Sequence, residues 1–138
     1  MQIPSVVLDT NIVISAHISL LGLEYRVFRS SLDRDLRLFI SNPVLAEYAS
    51  VLCRPKFRFR PEIVIESLAQ IRLNSTLVAP AATLSVSPDE RDNRFLECAE
   101  AACANFLVTG NRRHFRSIWK TTRIVGAREL IEGLVHFR

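Results

Sequence analysis

Short apolar runs alternate with stretches of helical periodicity along this chain, and that alternation restricts its fold more than any other feature. Val6 to Leu8 read as a buried strand, Leu36 to Ile40 as a second and Thr76 to Ala79 as a short third. Phe106 to Val108 and Ile124-Val125 read as the last two. Between them, apolar residues recur at helical spacing over Asn11–Leu21 and, after a break at Gly22, over Glu24–Asp33. A helix starts at Ser41-Asn42-Pro43, with a capping residue and then proline in the first turn, and runs to about Cys53. Further helices are expected over Glu62–Arg72, with Ile63, Leu68 and Ile71 inside, over Arg91–Ala104, near Arg113–Ile118 and over Ala127–Leu134. Continuous apolar strands suit a sheet buried on both faces. Strands separated by helices pair in parallel, because each helix carries the chain back across the sheet. The expected class is therefore α/β, a mostly parallel sheet with helices on both faces.

The first strand ends in an acid, in the run Ser5-Val6-Val7-Leu8-Asp9-Thr10-Asn11. In an open α/β sheet, ligands bind beyond the carboxyl ends of the strands. Asp9 is thus a candidate for chemistry, and the question is which other groups meet it. Glu47 lies beside the stripe Val44, Leu45, Tyr48, Val51 and Leu52, so it points near the sheet; it also suits a surface position in the N-terminal half of a helix. Asp89 and Asp92 stand at the start of the Arg91–Ala104 helix, where an Asp also serves as a cap. Asn111 follows the strand at Thr109-Gly110, either as a turn residue or as an amide for a cation or a water. One fold brings Asp9, Glu47, Asp92 and Asn111 to a single sheet edge. Crowded carboxylates repel, and a divalent cation relieves that repulsion. Oxygen donors suit Mg²⁺ or Mn²⁺, and His17, His114 and His136 are scattered without the spacing of zinc ligands. One or two such ions lower the pKa of a water and stabilise in-line attack on phosphorus.

Charge points to a partner. Of 18 basic residues 16 are Arg, and the net charge is +4. Arginine grips phosphate in a bidentate fashion and stacks on bases, so a polyanion fits, although Arg-rich coding with solvated faces gives the same composition. Arg54-Pro55-Lys56-Phe57-Arg58-Phe59-Arg60 interleaves cations with aromatics. It reads either as a clamp for phosphates and unpaired bases or as a connector whose Phe57 and Phe59 plug the core. Arg112 and Arg113 follow Asn111 and are placed for phosphate contact, or for a solvated face. Cys53, Cys98 and Cys103 form no CxxC pair and are expected to be buried free thiols in a reducing cytosol. No run approaches the roughly 20 apolar residues of a membrane span, and no secretory leader is expected, so the reading is a cytoplasmic protein without a membrane partner.

Four blocks then carry a resemblance: VVLDTNIVISA, SNPVLAEYASVLCRPKF, SPDERDNRFLECAEAACANFLVTGNRRHF and IVGARELI. In this order they resemble the PIN-domain family of metal-dependent ribonucleases, and in particular the VapC-like toxins of bacterial and archaeal toxin–antitoxin systems. The resemblance spans nearly the whole chain. It implies one PIN-like domain over residues 1–138, a three-layer α/β/α sandwich. It implies that Asp9, Glu47 and Asp92 are metal ligands, with Asp89 as an extra acid. Asn111 falls where many members carry a fourth acid, and would orient the metal or the attacking water. Thr10, Asn11, Ser41 and Thr109 match small polar positions that orient acids or water. The implied activity is Mg²⁺- or Mn²⁺-dependent endonucleolytic cleavage of RNA. The implied partners are RNA, a cognate antitoxin that obstructs the acidic cleft, and a second copy in a homodimer. Asn111 also leaves room for a catalytically weak or inactive PIN-like module that binds RNA or a protein. A phospho-receiver domain fits poorly: Thr76–Ala79 ends in Pro80, and Val108 leads to Thr-Gly-Asn where an acid and a lysine would be needed. A DxDxT phosphatase fails because Asn11 occupies the second acid position.

Overall fold

The computed structural model describes residues 2–81, 83–85, 87, 89–111 and 118–134. Its first strand, β1 (Ser5–Leu8), is wholly buried and runs straight into α1 (Thr10–Ile18) through the single residue Asp9. Helix α2 (Leu23–Leu32) starts after the break at Gly22 and leads to β2 (Arg37–Ile40). Helix α3 (Asn42–Leu52) begins as its sequence dictates: the Ser41 hydroxyl accepts from the Val44 N–H, and Pro43 sits in the first turn. A short 3-10 turn at Pro55–Phe57 precedes α4 (Pro61–Asn74) and β3 (Ser75–Leu77). After the loop come α5 (Glu90–Ala102), β4 (Phe106–Val108), β5 (Ile118–Trp119), β6 (Thr122–Val125) and α6 (Ala127–Gly133).

The six described strands form one sheet in the order β3-β2-β1-β4-β6-β5. All neighbours are parallel except β5 and β6. The chain first steps outward from β1 to β2 to β3, then returns past β1 to β4. Parallel crossovers are right-handed, so this reversal puts the outgoing and returning connections on opposite faces. The result is the expected α/β/α sandwich with a mostly parallel sheet. Its centre is dry: Val6, Val7, Leu8, Leu107 and Val108 are fully buried. No helix among the described residues is long and apolar enough to cross a membrane.

Three details correct the sequence reading. Ile63 is 44% exposed, and Val64 takes its place in the core. Val64, Leu68 and Ile71 are spaced by four and three residues, which is one stripe of a helix; Ile63 lies off that stripe. Of the three cysteines only Cys98 is buried. Cys53 and Cys103 are exposed because they are the residues that end α3 and α5, the latter in a left-handed conformation. Ile118 belongs to a strand rather than a helix end, since it pairs with Arg123 of β6. The rest of the expected helix near Arg113 lies outside the described residues.

Candidate active site

Strand β1 is where the sheet order reverses, with β2 on one side and β4 on the other. In doubly wound sheets the crevice beyond such a switch point is the usual ligand site. The register aligns Leu8 with Val108, so Asp9 and Thr109 leave the two strands side by side. Asp9 has three local duties. Its N–H donates to Val108 O at 2.9 Å, continuing the ladder. Its Oδ1 accepts from the Thr10 N–H at 2.7 Å, capping α1. Its Oδ2 accepts from the Thr109 hydroxyl at 2.7 Å and from Asn11 Nδ2 at 3.1 Å. Asn11 in turn accepts from the Gly110 N–H at 2.9 Å, and Thr109 Oγ1 accepts from the Asn111 N–H at 3.0 Å. Asn11 and Thr109 therefore tie the ends of β1 and β4 together and fix the rotamer of Asp9, which is only 6% exposed.

The other acids arrive from two helices. Glu47, on α3, is held in place by its neighbour Tyr48. That side chain is fully buried, and its hydroxyl donates to Leu8 O, so α3 is pinned to the end of β1 one residue before Asp9. Burial holds the Tyr48 proton well above the ordinary tyrosine range, and the nearby Cys98 and Asp9 push the same way. Asp89 is the residue that caps α5, accepting from the Arg91 N–H at 3.0 Å. Asp92 lies inside the first turn of α5 rather than before it, so it is not the cap, and it is 7% exposed. Its neighbour Asn93, fully buried, clamps the preceding loop: Oδ1 accepts from the Ser87 N–H at 2.8 Å and Nδ2 donates to Ser87 O at 3.1 Å. That clamp brings the Ser87 hydroxyl to 3.4 Å from Asp92 Oδ2.

These elements enclose a pocket of about 270 Å³. Asp9, Glu47, Asp89, Asp92 and Asn111 all line it, with Thr10, Asn11 and Arg54. Two expected residues stand behind it instead. Thr109 is fully buried and acts through Asp9. Ser41, also fully buried, caps α3 and hydrogen-bonds the Cys98 thiol, whose pKa burial pushes up to about 12 against that bond. Lys56, Arg58 and Arg60 are exposed and do not line the pocket. Arg112 and Arg113 lie outside the described residues. The Arg54–Arg60 segment is the expected connector: Phe57 and Phe59 stack at 5.6 Å and pack against the core, while Lys56, Arg58 and Arg60 are exposed.

Sequence reasoning missed Arg91 on the pocket wall, and Tyr48 and Asn93 behind it. Only Asn93 carried a signal, as a polar residue inside the apolar face of α5. Tyr48 was read as core, which it is, but the direction of its hydroxyl cannot be seen in a pattern.

The lining offers carboxylate and carboxamide oxygens and neither histidine nor cysteine. Thr10 Oγ1 is buried with no hydrogen-bond partner among the described residues, a polar atom left for a ligand or a water to satisfy. Among the described residues no three His, Cys, Asp or Glu side chains stand close enough to share an ion directly. Oxygen donors of this kind suit a hard cation such as Mg²⁺. The donor set therefore fits a hydrated divalent cation and does not fit zinc. The model of one protein family, described as the PIN domain, matches residues 5–113. Among curated proteins none matches the chain in sequence.

Proposed function

The chain belongs to the PIN-domain family, a nuclease fold whose members typically use divalent metal ions, and from that premise we propose that it is a Mg²⁺- or Mn²⁺-dependent endoribonuclease. The observation that carries this reading is the convergence of Asp9, Glu47 and Asp92, from one strand end and two helices, on one pocket at the switch point of the sheet. Asp9, Glu47 and Asp92 would hold the cation together with its waters, with Asp89 beside them. The cation supplies charge to stabilise the oxygens of the reacting phosphate and makes a water a better nucleophile. The chain's own groups do the rest. Thr109, Asn11 and the Thr10 N–H hold Asp9 in one rotamer, so no reorganisation is needed when a substrate arrives. The Asn111 amide orients the cation or the water. Arg54 lines the pocket and would bind a flanking phosphate; Lys56, Arg58, Arg60, Arg112 and Arg113 are the further phosphate contacts of this proposal. Ile14, Val51 and Phe95 give the pocket an apolar wall that limits water.

We extend the proposal to biology: a toxin that arrests growth by cutting RNA, restrained by a cognate antitoxin seated over the acids, with one domain per chain and two chains per particle. The site carries no fourth acid at position 111, which also suits a weak or inactive module that only binds RNA or a protein.

Purified protein incubated with single-stranded and structured RNA in Mg²⁺ or Mn²⁺ decides between these readings. Cleavage is expected, with loss in EDTA and in Asp9→Asn. Cleavage that survives EDTA or is undiminished in Asp9→Asn refutes the metal mechanism. RNA binding without cleavage, indifferent to loss of Asp9 and Asp92, establishes the binding module instead.

A further inference from the structure

The acid pocket contains a cation of its own. Arg91 lines the pocket and sits in the first turn of α5, next to Asp92. A basic residue there opposes the helix dipole, so helix stability does not explain it. Its Nη2 lies 3.2 Å from Asp89 Oδ2 and its Nε 3.4 Å from Asp89 Oδ1, while Nη1 lies 4.0 Å from Glu47 Oε1. The hydrogen bond and charge of Asp89 raise its pKa; slight burial lowers it, and Glu47 and Asp92 add further attraction. The Arg91 side chain is 57% exposed and that of Glu47 20%. Ion pairs this open add little to stability, and the long contact to Glu47 is easily exchanged.

Resting on the metal-nuclease reading above, we propose that Arg91 is an exchangeable counter-ion of the pocket. It neutralises Glu47 and Asp89 while no divalent cation is held there. It releases Glu47 when that carboxylate engages the cation, and turns its guanidinium to a phosphate of the bound strand. A planar guanidinium suits both partners, because carboxylate and phosphate present the same pair of acceptor oxygens. Arg91 thereby competes with the cation and sets a threshold for loading, and the energy of its contact is redirected to substrate once loading has occurred.

The two halves of this exchange predict effects of opposite sign, which a merely structural role does not. Mn²⁺ binding by calorimetry should tighten about fivefold in Arg91→Gln, the size expected for removing one nearby charge at a surface. The KM for a single-stranded RNA, from initial rates at saturating Mn²⁺, should rise severalfold in the same variant. Arg91→Lys keeps the charge and should bind Mn²⁺ as the wild type does while recovering only part of the RNA affinity. In a Glu47→Gln background the gain in Mn²⁺ affinity should shrink, leaving only the part due to the charge of Arg91 itself and its pairing with Asp89. Mn²⁺ affinity that is unchanged or weaker in Arg91→Gln, or a KM that does not rise, overturns the exchange and leaves the nuclease reading intact. Absence of Mn²⁺ binding in both wild type and Arg91→Gln overturns the nuclease reading, and the exchange with it.

Discussion

Thr109→Val tests whether Asp9 is oriented from behind. The substitution keeps the volume of a fully buried side chain and removes its hydroxyl. Two hydrogen bonds go: the 2.7 Å donation to Asp9 Oδ2 and the 3.0 Å acceptance from the Asn111 N–H. Asn111 is exposed, so water replaces the second bond at little cost. The first is a bond to a charged group in a buried setting, worth about 1.5–3 kcal/mol. Asp9 keeps its bonds to the Thr10 N–H and to Asn11, so the fold survives. For a chain of this size the loss corresponds to a fall in Tm of roughly 5–9 °C. Loss of an orienting partner of a metal ligand typically costs about 10- to 100-fold in metal affinity or activity. Thr109→Ser is the control, since it keeps the hydroxyl and gives up only a methyl group, at about 1 kcal/mol. Urea denaturation of both variants, with Mn²⁺ titration of each, measures the two effects separately. The reasoning is refuted if Thr109→Val matches wild type in stability and Mn²⁺ affinity, or if Thr109→Ser is impaired as severely as Thr109→Val.

Two further outcomes follow from the same geometry. The Tyr48 phenol keeps its proton in the folded state well above the ordinary range, whereas in the unfolded chain it ionises near ~10. Above that pH the unfolded state binds fewer protons than the folded one, so stability falls as pH rises; Tyr48→Phe should flatten this alkaline slope in urea melts and cost about 1–3 kcal/mol at neutral pH through the lost bond to Leu8 O. Asn111→Asp adds a carboxylate to the pocket lining, and should raise the affinity or the number of bound Mn²⁺ ions in calorimetry; an unchanged isotherm would show that position 111 does not face the cation.

Much of the fold was legible because it rests on local pattern. The runs Val6–Leu8 and Phe106–Val108 lie within a residue of the observed strands, and Ser41-Asn42-Pro43 announces α3 through the capping chemistry that the structure uses. Asp9 was legible for the same reason, as an acid that ends an apolar run. Less legible was anything that depends on the phase of a helix or the aim of a side chain. Ile63 and Val64 are equally apolar, and only the packing of α4 selects the second. Asp89 and Asp92 are equally able to cap α5; the structure gives the cap to Asp89 and buries Asp92 beside the Asn93 clamp.

The amino-acid sequence by itself therefore determined the alternation of strands and helices, the membership of the PIN-domain family and the acids available to a site. Those follow from hydrophobic periodicity and capping, which act over a few residues. Only the tertiary structure decided that the sheet order reverses at β1, so that Asp9 and Thr109, 100 residues apart, share a hydrogen bond. Only it decided that Arg91 points back at Asp89 and Glu47. Such contacts arise from strand order and helix rotation, which the whole core fixes at once and no local stretch of sequence encodes.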